Sequence, residues 1–220
     1  MIIFSNGCSF LTDRPKDGVE THTGKIIAQH LQASNVNLAM GGRGNDRISF
    51  TTKLWFAQNN AEDVFALIGW SSSHRHDYVT NDGWKKGRIP GMESTWRTWK
   101  SVDNLRFINS QRGWDTDQQG EARYLDHVVD LQNFFKVNKI PYVMYNSLPN
   151  PIVSGNKDFN TFKSMIDTER FFRIESSQYD QVMTDKDIVS PDDPHPSKIG
   201  HEKWAKQLME FIDANNLRTL

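Results

Sequence analysis

The sequence predicts an α/β sandwich built on a mainly parallel sheet, and three observations lead there. Short apolar strand-like runs alternate along the chain with helix-like stretches that carry an apolar stripe. One run, Val64-Phe65-Ala66-Leu67-Ile68, is apolar throughout, as expected of a central strand buried on both faces. The polar and glycine-bearing positions Ser9, Gly42 and Gly69-Trp70-Ser71 each follow one of the first three runs. In open parallel sheets, ligands gather at those carboxyl ends, where the strand order reverses.

Taken in order, Ile2 to Asn6 reads as a short buried strand ended by Gly7. Residues 24–33 place Ile26, Ile27, His30 and Leu31 on one helical face. Val36 to Met40 is the second strand, halted by Gly41-Gly42-Arg43-Gly44, and Ile48, Thr52, Trp55 and Phe56 mark the next helix. Asn45 or Asp46 is the expected cap of that helix. Asp63 to Trp70 is the third strand. Residues 74–118 lose clear periodicity and read as a tryptophan-rich, elaborated loop insertion with some helix. A helix over about 121–138 carries Leu125, Val128, Val129, Leu131, Phe134 and Phe135, and Tyr142 to Asn146 forms the fourth strand. Phe159 to Ile166 is a short helix and Phe171 to Ile174 a weak fifth strand. The last helix starts near Ser197 and repeats Trp204, Leu208, Phe211 and Ile212 at core-facing spacing.

The chain has 220 residues, 37% apolar and 24% charged, without an internal repeat, low-complexity tract or linker. One domain over 1–220 is expected, large enough to bury a sizeable core. Lysine plus arginine (26) nearly balances aspartate plus glutamate (27), so no global field favours nucleic acid or an anionic membrane. The single cysteine, Cys8, excludes an internal disulfide and any multi-cysteine zinc site. No apolar run approaches the roughly 20 residues needed to cross a bilayer. The N-terminus enters a strand without a basic, apolar and cleavage-site pattern, so a cytoplasmic or virion-associated setting is expected.

Two chain ends carry the chemistry. Gly7-Cys8-Ser9-Phe10 follows the first strand, and Asp192-Asp193-Pro194-His195-Pro196-Ser197 precedes the last helix. A serine hydroxyl is a weak nucleophile until a base accepts its proton, and a neutral imidazole does so near physiological pH. Ser9 is therefore the candidate nucleophile and His195 its base. The base needs an acid on its other nitrogen to fix tautomer and orientation. Asp192, three residues earlier, is expected there; Asp193 is the competitor, with its side chain expected to point elsewhere in an extended loop. Pro194 and Pro196 stiffen the segment, and Ser197 caps the final helix. Oxyanion donors are expected from the amides of Ser9 and Gly42, with the Ser71 hydroxyl as a third.

These blocks, together with Asn37-Leu38-Ala39-Met40-Gly41-Gly42 and Ile68-Gly69-Trp70-Ser71, resemble the SGNH/GDSL hydrolase superfamily across nearly the whole chain. The family's Gly-Asp-Ser block appears as Gly7-Cys8-Ser9, its second-block glycine matches Gly42, and its Asp-x-x-His block matches Asp192 and His195. The resemblance implies a three-layer, flavodoxin-like α/β/α sandwich with a five-stranded parallel sheet. It also implies metal-free hydrolysis of lipid esters, thioesters or acetylated sugars. The family's third block is Gly-x-Asn-Asp, whose asparagine amide donates to the oxyanion; here the aligned position is Ser71, so that donor is shortened. Divergent phage-encoded relatives carry similar blocks, which attaches a phage setting to the resemblance.

Blander readings stand beside these. Ser9 alone is a turn residue, Cys8 a small buried one, and Gly41-Gly42-Arg43-Gly44 a tight turn lacking the lysine of a phosphate loop. His74-Arg75-His76-Asp77 lacks further metal ligands and reads as solvated loop, so neither metal nor cofactor is expected. His201 is expected to be structural. Trp70, Trp84, Trp96, Trp99 and Trp114 cluster in the central stretch; their flat faces suit sugar rings, and core packing competes. The leading expectation is a serine esterase acting on a small-molecule or glycan ester, with no nucleic-acid or membrane partner. The alternative is a catalytically silent module of the same fold, such as a virion component, that binds through the tryptophan-rich face.

Overall fold

The computed structural model describes residues 1–60, 62–80, 95–99, 117–150 and 157–218. At its centre lies a five-stranded sheet of β1 (Ile2–Gly7), β2 (Ser34–Asn37), β3 (Val64–Trp70), β6 (Tyr142–Asn146) and β7 (Phe171–Ser177). Its order is β2-β1-β3-β6-β7, and every pairing is parallel. Two antiparallel ladders stand apart: β4 (His76–Thr80) with β5 (Thr95–Trp99), and β8 (Ile188–Ser190) with β9 (Asp193–Pro196). The described helices are α1 (Thr23–His30), α2 (Asn45–Gln58), α3 (Asp117–Val137), α4 (Lys157–Ser164), α5 (Gln178–Asp185) and α6 (Lys198–Ala214).

Alternation along the central strands divides the core into two layers. In β3, Val64, Ala66, Ile68 and Trp70 join Ile48, Tyr124, Val128 and Phe135 beneath α2 and α3. Phe65 and Leu67 point to the opposite side, where Ile27, Trp204, Leu208 and Ile212 bring in α1 and α6. Strand β6 divides likewise, with Tyr142 and Met144 on the first face and Val143 and Tyr145 on the second. A strand sends successive side chains to opposite faces, so two apolar faces require a helical layer on each. The result is the three-layer α/β/α sandwich.

The elements differ from expectation mainly at polar ends. Strand β2 is an edge strand that starts two residues before Val36 and stops at Asn37. Helix α2 has Gly44 as its N-cap, without a side-chain cap bond, because Asn45 is spent on Ser71 instead. Ser197 caps α6 as expected, accepting from the Gly200 amide at 3.3 Å. The hairpin β8–β9 and helix α5 were not anticipated; both lie in polar sequence with few apolar residues to set a period. Within the expected insertion, the described part beyond residue 75 is the β4–β5 ladder followed by the start of α3.

The order of the strands fixes where a site can form. The chain crosses from β1 to the edge at β2, then back past β1 to β3, so the reversal point lies beside the carboxyl end of β1. Ser9 follows that end directly, at the start of a short 3-10 turn over Ser9–Leu11.

Candidate active site

The two chain ends meet. Ser9 Oγ lies 2.8 Å from His195 Nε2, across 186 positions of sequence. On the other side of the ring, His195 Nδ1 lies 2.5 Å from Asp193 Oδ1, and the His195 amide donates to the same oxygen at 3.2 Å. An alcohol, an imidazole and a carboxylate therefore form one continuous hydrogen-bonded line.

The carboxylate is Asp193, which corrects the expectation of Asp192. Residues Pro191 and Asp192 form the tip of the β8–β9 hairpin, where Ser190 pairs with Asp193, and Asp192 is exposed. Asp193 and His195 sit two apart on β9, and residues two apart on a strand share a face. The extended backbone that was expected to turn Asp193 away is what brings it under the ring.

Arg14 completes this line and was not foreseen. Its Nη1 donates to Asp193 Oδ1 at 3.2 Å and its Nη2 to Oδ2 at 2.5 Å, while Asp17 Oδ2 lies 2.9 Å from Nη2. This fork-on-carboxylate geometry holds the Asp193 carboxyl well below the usual carboxylate range, and the bond from His195 adds to the effect. Nothing in the sequence singles out Arg14, because its partner lies 179 positions away.

A small apolar cluster joins the two halves from below. Cys8, Phe10 and Val182 are buried together, with Leu148, Tyr179 and Ile188 packed against them. Phe10 also faces the imidazole, its ring centroid 5.0 Å from that of His195. Cys8 is thus a small core residue beneath the turn that presents Ser9, matching its reading as a small buried residue.

The Gly41–Gly44 segment forms the facing wall. The Arg43 amide donates to the Met40 carbonyl at 3.4 Å, closing a turn in which Gly42 holds φ +79°. That left-handed conformation costs a residue with a Cβ about 1–2 kcal/mol. The turn lies against the serine: a Cβ on Gly41 would come within 3.9 Å of Ser9 Cβ. It is anchored by the buried Arg43, whose Nη1 donates to Asn6 Oδ1 at 3.1 Å at the end of β1. Burial, with Arg47 nearby, lowers the Arg43 guanidinium to about 10, so it remains charged at neutral pH.

Two further expectations need correction. Ser71 is fully buried, and both its backbone groups are tied: its amide donates to Asn45 Oδ1 at 2.8 Å, and its carbonyl accepts from Asn45 and Asn150. Its hydroxyl accepts from Arg75 Nη1 at 3.0 Å. Trp70 is also fully buried, in the core beside Tyr124 at 6.3 Å, so it is not a surface for substrate. Trp84 and Trp114 lie outside the described residues, and Trp96 and Trp99 are described as backbone positions of β5. Asp77, in the stretch read as solvated loop, is instead buried: it accepts from the Gly44 amide at 2.7 Å and faces Arg47 at 3.7 Å. Among the described residues, no group of three potential ligands could hold a metal ion. His201 is buried in α6, its Nδ1 3.1 Å from Thr23 Oγ1, in the structural role expected of it.

Above the line opens a cavity of about 400 Å³, walled by Ser9, Thr12, Arg14, Gly41, Gly42, Arg75 and His195. Such a site can transfer a proton from the hydroxyl to the imidazole and offer backbone amides to a nearby oxygen.

Comparison with solved structures identifies the fold. TesA superposes with a TM-score of 0.54 at 9% identity, over 98% of this chain and 99% of that one. The psychrotrophic esterase EstA from Pseudoalteromonas sp. gives 0.51 at 11% identity, covering 97% of each chain. A catalytic mutant of Axe2, an acetylxylan esterase from Geobacillus stearothermophilus, gives 0.51 at 15% identity, over 96% and 93%. The chain has the α/β fold of these SGNH-type neighbours, a resemblance in architecture at very low identity. By sequence, the chain belongs to a family of unknown function (DUF6071), whose model matches residues 13–219. No curated protein matches the sequence. Among the described residues, no helix is long and apolar enough to cross a membrane.

Proposed function

We propose that the protein is a serine esterase of SGNH type, with Ser9 as nucleophile, His195 as general base and acid, and Asp193 as the group that orients His195. The observation that carries this reading is the unbroken line from Ser9 Oγ through His195 to Asp193, at 2.8 Å and 2.5 Å, on the floor of an open cavity.

In this reaction Ser9 Oγ attacks the acyl carbonyl carbon while His195 Nε2 takes the hydroxyl proton. The carbonyl π pair moves onto oxygen, and in this reading the amides of Ser9 and Gly42, two residues of the cavity wall, donate to it. Collapse of this tetrahedral species breaks the bond to the leaving oxygen, which takes the proton from His195 Nε2. Water, deprotonated by the same nitrogen, then attacks the acyl-Ser9 ester; the bond from the acyl carbon to Ser9 Oγ breaks, Oγ takes the proton back from Nε2, and the acid is released. Asp193 accepts from Nδ1 throughout and stabilises the imidazolium.

A carbohydrate ester is the substrate class we favour. The acetylxylan esterase shares the fold, and the sequence places Trp84, Trp96, Trp99 and Trp114 in the insertion that follows β3. The test is hydrolysis of short-chain aryl esters and acetylated glycans by the native protein and by Ser9→Ala. Turnover in the native protein that disappears in the variant supports the esterase. Equal background rates in both would instead leave a silent module of this fold.

A further inference from the structure

The site has a guanidinium in its wall for which the proton relay has no use. Arg75 lines the cavity together with Ser9, Gly42 and His195. Its Nη1 donates to Ser71 Oγ at 3.0 Å and to the Arg43 carbonyl at 3.4 Å. Those two bonds strap the side chain to the end of β3 and to the turn that carries Gly42. The backbone is held as firmly: the Arg75 amide donates to the Ser72 carbonyl at 3.1 Å. A Cβ on Gly44 would meet the Arg75 carbonyl oxygen at 2.8 Å, so only glycine lets the two segments pack this closely. The nearby carboxylate of Asp77 is engaged by the Gly44 amide and by Arg47.

The Ser71 hydroxyl, expected to donate to the oxyanion, is buried and serves Arg75 as an acceptor. The guanidinium lies one hydrogen bond beyond that hydroxyl, and it is Arg75, not Ser71, that lines the cavity. Nη1 is engaged by protein acceptors, and the rest of the rigid planar fork carries further donors on a side chain that lines the cavity. We propose that Arg75 is the third oxyanion donor of this site, stabilising the negative charge that develops on the substrate carbonyl oxygen, with Ser71 positioning it. The inference rests on the esterase reading.

Arg75→Met and Arg75→Lys, compared with native protein and Ser9→Ala on the neutral ester 4-nitrophenyl acetate, test it. A donor used only as charge develops supports kcat more than ground-state binding. The expected result is a fall in kcat on the order of 100-fold for Arg75→Met, with KM changed by less than about threefold. Arg75→Lys, which retains a cationic donor, recovers part of that loss. If Arg75→Met keeps native kcat while Ser9→Ala is inactive, this inference falls and the esterase stands. A loss confined to KM has the same meaning, because it marks a ground-state contact. If Ser9→Ala matches the native rate, the esterase reading fails and the inference with it. Thermal unfolding of each variant controls for folding. Should Arg75→Met not fold, Arg75→Gln against Arg75→Lys carries the comparison: lower kcat in Gln supports the donor, and native kcat in both overturns it.

Discussion

Arg14 grips Asp193 with both terminal nitrogens, at 3.2 Å and 2.5 Å, and Asp193 in turn holds His195. The arginine belongs to the loop after Ser9, closed by the bridge between Arg14 and Val19. Ser9 and Asp193 are therefore tied twice, once through the imidazole and once through the loop that carries Arg14. A planar fork fixes carboxylate orientation in a way a point charge does not. Arg14→Ala is expected to lower kcat/KM by roughly 10- to 100-fold, as misplacement of a catalytic group by about 1 Å does. Arg14→Lys should fall between the two, and ester hydrolysis by the three proteins checks the ranking. Native rates in Arg14→Ala would show that β9 alone suffices to aim Asp193.

The assignment of Asp193 over Asp192 yields a direct contrast. Asp193→Asn replaces an anion that fixes the tautomer of His195 with an amide that can present a donor to it, and kcat should drop by about 1000-fold or more. Asp192→Asn alters an exposed hairpin tip and should leave kcat within about twofold of native, as surface changes usually do. Reversal of this pattern would return the role to Asp192.

How far the sequence could lead is clearest at that hairpin. The strands β1, β3 and β6 were legible because an unbroken apolar run has few other places to go. Ser9 and His195 were legible because their residue types are chemically distinctive and follow punctuated ends of elements. Asp193 was ranked behind Asp192 for a geometric reason. The segment was read as extended, but the alternation that extension imposes was not applied, and it puts residues 193 and 195 on one face. Ser71 was misplaced because a local alignment says nothing about whether a short hydroxyl faces a cavity or the guanidinium of Arg75. Arg14, Arg43 and Arg75 were invisible for a common reason. Each acts through partners brought together by folding, and arginine on a polar loop carries no spacing signal of its own.

The conformation of Gly42 makes a prediction about rate and stability together. Its φ of +79° disfavours any residue with a Cβ, yet among the described residues no atom beyond its chain neighbours lies within 4 Å of where that Cβ would sit. Gly42→Ala should therefore cost about 1–2 kcal/mol through backbone strain alone, readable as a lower denaturant midpoint. If the strain is relieved by turning the peptide, the Gly42 amide leaves the cavity wall, and kcat should fall on the order of 100-fold. Native stability and rate in this variant would show that the turn is not held in that conformation.

Two buried imidazoles set the response to acid. His22 caps α1, its Nδ1 accepting from the amides of Gly24 at 3.1 Å and Lys25 at 3.4 Å, and burial lowers it to about 4. Nearby Asp13 opposes that shift and Lys25 adds to it. Burial lowers His201 to about 3, helped by repulsion from His22, His195 and Arg14. Unfolded imidazoles take up protons near pH 6.5, whereas these two, when folded, do not until about 4 and about 3. Below about pH 6.5 the unfolded chain therefore binds more protons, and stability is lost as pH falls, at up to about 1.4 kcal/mol per unit for each group. Carboxylates with lowered folded values, Asp193 and Asp46, add their own acid dependence only from about pH 5 downward, so between pH 6.5 and 4.5 the histidines carry most of the change. His22→Asn keeps a good capping acceptor and removes the titrating ring. The variant should stay within about 1 kcal/mol of native at pH 7 and lose less stability between pH 6.5 and 4.5, measured by urea midpoints. An unchanged pH slope would mean that His22 is already protonated in the folded protein, with its Nδ1 no longer able to cap α1.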